Sequence, residues 1–473
     1  MKGPLMQAAS AAILAAGALA MPEAAVGADV AADLAAGVAT VDITPPVGYR
    51  MAGYFNERLS TGIHDPLHAK ALVLRQGSEC AALVFCDLIG IPLEVSSQAR
   101  RQAAEKTGIP ASNILVAATH SHTGPLYFDA MRKYLHNRAV KEHGSDPRET
   151  ADYAALLVAR IVQAIAQADA AARPVTLGLA EAEQSQLSFN RRFHMKDGSV
   201  RFNPGPLNPD IVRPAGPIDP QVRTIFVRRA DDNRPFAALM NFALHLDTTG
   251  GTEYSADYPF YVEKELRETF GPRFVLLFGT GACGDLNHID VTRKDRAKPS
   301  EIGPKLAAAA VLPATKAIAP PQLAVRSEIV RVPLQRYTPE QLAKAREDIP
   351  KVGTGKLPFL GEVEAYKILS LELRGGEAAP LEVQAFRLSK DVALVGLPGE
   401  VFVELGLAIK RASPFPTTLV VELCNDSPDY VPTKRAFAEG SYEITNSRIA
   451  PGGGEMLVDA AVRLLKELAE RRE

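Results

Sequence analysis

The chain has 473 residues, 47% of them hydrophobic and 23% charged, and a formal net charge of -2, the make-up of a folded globular protein. A charge so near zero, with no long basic run, leaves no electrostatic footprint for DNA or RNA and argues against nucleic-acid partners. Four cysteines in this length exclude a disulfide-built scaffold.

Met1-Lys2 supplies a short positive region, and an apolar, alanine-rich stretch runs from Leu5 to Ala20. Small-residue cleavage sites follow at Ala18-Leu19-Ala20 or Val26-Gly27-Ala28. That pattern predicts a secretory signal peptide over residues 1–28. No later stretch reaches the roughly 18 continuous apolar residues of a membrane span. The mature chain, 29–473, is therefore expected to be exported, periplasmic or secreted, without a transmembrane segment.

Strand-like and helical patterns then alternate in the α/β manner. Strands are predicted over Leu67–Leu74, Ala81–Leu88, Ile114–Thr119, Thr224–Val227, Ala237–His245 and Phe274–Phe278. Later ones are Ile329–Leu334, Val383–Leu388, Val392–Leu397 and Thr418–Leu423. An apolar stripe of Leu156, Leu157, Ile161 and Ile165 predicts a helix over Ala151–Ala171. Thr338-Pro339-Glu340-Gln341 reads as a capping box that opens another. A last helix is expected from Glu455 to Leu468, and Asn203–Gln221 is an ordered, proline-rich loop. No low-complexity linker interrupts the mature chain. The fold class is α/β, with mixed β-sheets flanked by helices in a single large catalytic domain.

Chemistry-bearing residues gather at the strand ends. Thr119-His120-Ser121-His122-Thr123-Gly124-Pro125 follows the strand at Ile114. Two histidines at i and i+2 project from the same side of extended backbone, and Thr-Gly-Pro then forces a turn. Histidine is the commonest ligand of a catalytic metal. His245 closes the next apolar run, before Asp247-Thr248-Thr249-Gly250-Gly251. Phe278-Gly279-Thr280-Gly281-Ala282-Cys283-Gly284-Asp285-Leu286-Asn287 is a glycine-rich turn without the spacing or lysine of a phosphate loop. Glu400 follows Pro398-Gly399 at a strand end, and Asn425 to Thr433 is turn-rich. Cys80 and Cys86, about 20 Å apart along one strand, cannot pair with each other; a Cys283–Cys424 bridge is left open.

These motifs together resemble the neutral, non-lysosomal ceramidase family. Thr119 to Pro125 looks like its Thr-His-Thr-His-Ser-Gly-Pro, Phe242-Ala243-Leu244-His245 like its Phe-Ala-Val-His, and Pro398-Gly399-Glu400 like its Pro-Gly-Glu. Tyr430-Val431-Pro432-Thr433 and Ser441-Tyr442-Glu443 resemble Tyr-Ile-Thr-Thr and Arg-Tyr-Glu, and Val41-Asp42-Ile43-Thr44-Pro45 and Gly62-Ile63-His64 match the family's opening. The resemblance implies one zinc ion per chain, held by His120, His245, Glu400 and Tyr430, whose bound water, its pKa lowered toward about 7, attacks the acyl carbonyl. It implies His122 as the proton-transfer residue, Arg191 as the group polarising the scissile carbonyl, and Tyr442 as the oxyanion stabiliser. Asn287 stands where the family has a serine beside the substrate. The implied activity is hydrolysis of an N-acyl amide, ceramide to sphingoid base and fatty acid, so the expected partner is a lipid amide. The alternatives are a metallo-hydrolase of another amide or ester, and a non-catalytic metal-containing binding protein. The family's C-terminal immunoglobulin-like domain is not expected here.

Overall fold

A computed structural model describes residues 34–470; the expected signal peptide lies outside the described residues. Strands whose successive side chains are all apolar must be covered on both faces. Two sheets meet that demand by packing on each other and under helices. The larger sheet contains β1 (Ala35–Asp42), β2 (His68–Gln76), β3 (Glu79–Cys86), β4 (Ile114–Ala118), β5 (Arg173–Glu183), β6 (Gln221–Arg229), β7 (Pro235–Phe242) and β8 (Val275–Thr280). Their order is β8-β7-β6-β5-β1-β2-β3-β4, and Lys316–Ile318 pairs off β5 as a ninth strand. The smaller sheet runs β9 (Pro321–Pro333), β10 (Ala378–Ser389), β11 (Val392–Gly396), β12 (Thr417–Val421) in that order. All ten strands read from the sequence are present, with shifted ends.

Strand periodicity explains the layering. Along β3, Ala81, Leu83 and Phe85 enter the core between the sheets, with Phe386, Leu394 and Leu419 of the smaller sheet. The alternate residues Ala82, Val84 and Cys86 face helices on the outside. Phe85 is 1% exposed, and its truncation to alanine would cost about 3–5 kcal/mol. Helices α1 (Leu93–Thr107) and α3 (Tyr153–Ala170) cover one part of the outer face of the larger sheet. Next come α2 (Asp129–His143), α4 (Tyr258–Phe270) and α5 (Pro299–Val311); α4 and α5 cover the rest of that face. After α6 (Pro339–Asp348) and α7 (Phe359–Arg374), α8 (Val403–Ala412) and α9 (Gly453–Glu470) cover the smaller sheet. The layers are thus helix, sheet, sheet, helix. Among the described residues no helix is long and apolar enough to cross a membrane.

The capping box read at Thr338 forms, and a second cap holds the start of α3. Thr338 Oγ1 accepts from the Gln341 N–H at 3.2 Å while the Gln341 side chain accepts from the Thr338 N–H at 2.8 Å. Asp152 caps α3 through the Ala155 N–H at 3.0 Å.

Most neighbouring strands are antiparallel, but β3–β4, β7–β8 and β11–β12 run parallel. Parallel pairs bring carboxyl ends to one edge, where open α/β sheets hold their ligands. The chain leaves β4 toward His120, β7 toward His245 and β11 toward Glu400. Buried polar groups tie the two sheets beside this edge. The Asn241 amide donates to the carbonyls of Gly279 (2.8 Å) and Val420 (2.9 Å), and the Thr280 hydroxyl to the carbonyl of Thr119 (2.7 Å).

Candidate metal centre

His120 leaves β4 with φ of 78°, a left-handed conformation uncommon outside glycine and often stored at functional sites. Its N–H donates to the Leu88 carbonyl at 2.8 Å, and its Nδ1–H to the Ile89 carbonyl at 2.7 Å. A carbonyl only accepts, so the proton sits on Nδ1 and Nε2 turns inward. His122 is set the same way, with its Nδ1 3.1 Å from the Gly53 carbonyl. A Cβ on Gly53 would stand 2.7 Å from the His122 carbonyl, so glycine is needed for this approach. His245 follows β7, with its Nδ1 4.0 Å from the Cys283 sulfur.

The three Nε2 atoms converge. His120 Nε2 lies 3.0 Å from that of His245 and 3.3 Å from that of His122. Glu400 Oε2 completes the group, 3.3 Å from His120 Nε2 and 3.9 Å from His245 Nε2. That oxygen is buried without a hydrogen bond. Lone pairs held this close repel unless a positive charge lies among them. A proton on His120 is a minimal stand-in: burial opposes it, yet Glu400 raises the imidazole above its ordinary pKa. Burial lowers His245 far below the usual range, and His120 adds to that. Burial and then His120 depress His122, to about 4, against the pull of Asp247. Two or three imidazoles and a carboxylate suit a divalent cation, zinc above all. Geometry alone groups His122 with His120 and His245, their ligand atoms lying within 4.8 Å of one another.

Tyr430 enters from the segment after β12, whose Tyr430–Val431 pairs parallel with Glu400–Val401. That ladder is why a tyrosine thirty residues away meets the glutamate. The Tyr430 hydroxyl lies 3.0 Å from Arg191 Nη2. Arg191 is fully buried and held on three sides. Its Nε donates to Glu443 at 2.9 Å, and Nη2 to the Gly284 carbonyl at 2.7 Å as well as to Tyr430. Its guanidinium lies over the rings of Tyr430 and Tyr442, 5.4 Å and 5.9 Å from their centroids. Burial pushes both phenols up, Tyr430 well above its ordinary pKa.

His120, His122, Glu400, Tyr430 and Tyr442 line one cavity together. His245, Arg191 and Asn287 are not part of its lining. The Asn287 Nδ2 donates to Asn203 at 2.9 Å and its Oδ1 accepts from the Ile289 N–H at 3.0 Å. Cys283 and Cys424 are free, buried thiols, so the bridge left open by the sequence is absent. Cys283 donates to Glu422 at 3.0 Å, and burial, reinforced by that carboxylate, raises its pKa far from a nucleophile's range.

Further residues support the site; Glu443, Glu422 and Tyr54 carry no sequence signal of their own, whereas the sequence left open that Asp257 and Asp285 orient the ligands. Glu443, wholly buried, bridges Arg191 and Arg192; only its adjacency to Tyr442 hinted at it. Glu422 anchors Cys283 and accepts from the Val401 N–H at 2.7 Å. Tyr54 donates to Asp247 at 2.6 Å, behind His122. Asp285 accepts from the Asn190 amide at 2.8 Å and the Val403 N–H at 2.8 Å, binding the arginine strand to the Glu400 segment. Asp257 caps α4 and holds the Thr248 and Thr249 N–H groups after His245.

Residues 34–256 match the family profile described as "Neutral/alkaline non-lysosomal ceramidase, N-terminal". That span carries His120, His122, Arg191 and His245. No curated protein sequence matches the chain. The fold is similar to the crystal structure of neutral ceramidase from Pseudomonas aeruginosa, at 21% identity and a TM-score of 0.67, covering 93% of this chain and 76% of that one. A ceramidase complexed with C2 is similar at 20% identity and a TM-score of 0.67, covering 93% and 77%. At these identities the likeness establishes a shared fold, the ceramidase catalytic fold expected from the motifs.

Proposed function

We propose that the protein is an exported, zinc-dependent hydrolase of the neutral ceramidase type, cleaving an N-acyl amide bond, with ceramide the substrate indicated by resemblance. The observation that carries this is the convergence of His120 and His245 Nε2 on the Glu400 oxygen, with His122 Nε2 3.3 Å from that of His120. His120, His245, Glu400 and Tyr430 would hold one zinc ion. Bound zinc would supply Lewis acidity and lower the pKa of water in the site.

The remaining steps belong to this chain's own residues. His122, neutral near pH 7 with Nδ1 tied to Gly53, presents Nε2 as a base. It takes a proton from the attacking water and delivers it to the leaving nitrogen as the C–N bond breaks. The water oxygen becomes part of the carboxylic acid product, and the amine leaves with the proton. Arg191, fixed by Glu443 and Gly284, polarises the scissile carbonyl, and the Tyr442 hydroxyl steadies the charge that develops on its oxygen. No step is assigned to Asn287. Residues 29–473 would act as one catalytic domain after removal of a signal peptide at 1–28.

Elemental analysis alongside hydrolysis of a fluorogenic N-acyl sphingosine tests the reading. About one zinc per chain with chelator-sensitive cleavage supports it. Purified protein that binds no metal would overturn it, and zinc without ceramide cleavage would redirect the search to other amides and esters.

A further inference from the structure

Beside the metal centre the cavity changes character. One wall is aromatic: Phe55 stacks on Tyr366, with centroids 6.1 Å apart and planes at 25°, and meets Tyr442 edge-on. The same cavity is also lined by polar residues, Asp129, Ser427, Asp429, Asn446 and Arg448. Ile89, Leu126, Phe128 and Met131 line it too, so an occupant must pair these polar groups as well as bury apolar surface.

Several of these groups keep hydrogen-bonding capacity open to the cavity. Asn446 is 7% exposed, yet among the described residues its side-chain amide makes no hydrogen bond, and neither does the Ser427 hydroxyl. Arg448, 4% exposed, is ion-paired with Asp429. Its other contacts are long, at 3.5 Å to Asp129 Oδ2 and 3.5 Å to the Asn446 carbonyl, which leaves part of its five-donor capacity for a ligand. Asp129 and Asp429 sit at positive φ, 82° and 61°, backbone strain of the kind found at ligand sites.

Resting on the hydrolase reading above, we propose that this polar lining recognises a polyhydroxylated, sugar-like portion of the substrate, with Asn446 and Arg448 as specificity-determining residues. Each hydroxyl of a polyol both donates and accepts, so it can give to Asp129 or Asp429 and take from Arg448 or Asn446. The C–H faces of a ring pack on the Phe55–Tyr366 wall. A carboxylate here would meet two aspartates, and an ammonium would meet Arg448. A neutral polyol meets neither conflict.

The test uses a matched pair, N-butanoyl glucosamine and N-butanoyl cyclohexylamine, which share the amide and differ in ring hydroxyls. Binding is measured by calorimetry on the zinc-loaded mature chain, wild type and Asn446→Leu, with Ser427→Ala as a milder second variant. Wild type should bind the sugar amide about tenfold or more tightly than the cyclohexyl amide. Asn446→Leu should cut that ratio roughly tenfold, and Ser427→Ala should cut it by a smaller factor in the same direction. Equal binding of the two probes by wild type overturns the proposal, as does an unchanged ratio in Asn446→Leu. Should that variant not fold, an unchanged ratio in Ser427→Ala overturns it. Release of amine is followed separately: sugar preference without hydrolysis would sink the hydrolase reading alone.

Discussion

Two clusters in this molecule bring histidine and carboxylate donors together, and they differ in what already lies among them. At the first, His120, His122, His245 and Glu400 bring their ligand atoms together, while Arg191 is held by Glu443, Gly284 and Tyr430 and Arg58 donates to the His122 carbonyl. At the second, His136 stands 3.1 Å from Asp146 and 3.0 Å from Glu149. There Arg50 donates to Asp146 at 2.6 Å and to Glu57 at 2.7 Å, and Arg132 donates to Glu149 at 2.9 Å. The second set is an ion-pair network neutralised by its own arginines. A donor inventory treats the clusters alike; the presence of a built-in cation separates them.

The largest expected effect breaks the comparison at its centre. His245→Ala should abolish metal binding and bring hydrolysis to background, while His136→Ala retains both, as read by elemental analysis and turnover. Metal lost from His136→Ala instead would reverse the assignment. Tyr442→Phe should keep its zinc and lose roughly 10²-fold in kcat, the scale of one oxyanion donor; unchanged kcat would remove it from the mechanism.

Arg50→Met should destabilise the fold by about 3 kcal/mol, since it strands buried carboxylates. The same variant should gain a rise in Tm on adding zinc that wild type lacks at this cluster, seen by thermal unfolding with and without the ion. A subtler effect concerns Asp146. Burial pushes its carboxyl upward, but the Arg50 hydrogen bond and the backbone N–H of Arg148 outweigh that and hold it below the usual range. Its stabilisation is therefore full above the unfolded value of about 3.9 and drains as pH falls through the lowered folded value. Arg50→Met should flatten that acid limb of a Tm–pH profile; an identical slope would refute the pairing. The smallest effect is expected of Cys283→Ala. Its sulfur is 4.0 Å from His245, so activity should fall less than about tenfold and remain chelator-sensitive. Loss of all activity would point to the thiol.

Much of the scaffold was legible because apolar runs such as Ala81–Leu88 and Val392–Leu397 are buried on both faces and carry nearly continuous hydrophobic residues. Helix α1 was not legible: it buries Val95, Ser96, Ala99, Arg100 and Ala103, a stripe too small and polar to stand out by periodicity. Helix α5 hid behind Pro304 and a run of alanines. At the site, His120 and His122 announced themselves by spacing and by the turn after them. Glu422, Glu443, Asn446 and Arg448 did not, since each sits among ordinary neighbours and gains its role from a partner more than a hundred residues away or from the cavity wall.

The sequence by itself determined the strands, the order in which their ends deliver His120, His245, Glu400 and Tyr430, and the family those motifs resemble. These are properties of local pattern and motif. Only the tertiary structure decided that three Nε2 atoms and one carboxylate oxygen face the same point, because that depends on parallel strand pairs in two sheets sharing an edge. It alone showed that His136, Asp146 and Glu149 are already neutralised, and that polar residues line the cavity beside the histidine cluster. Burial and hydrogen-bond satisfaction are relations between distant segments, and no local window of the chain contains them.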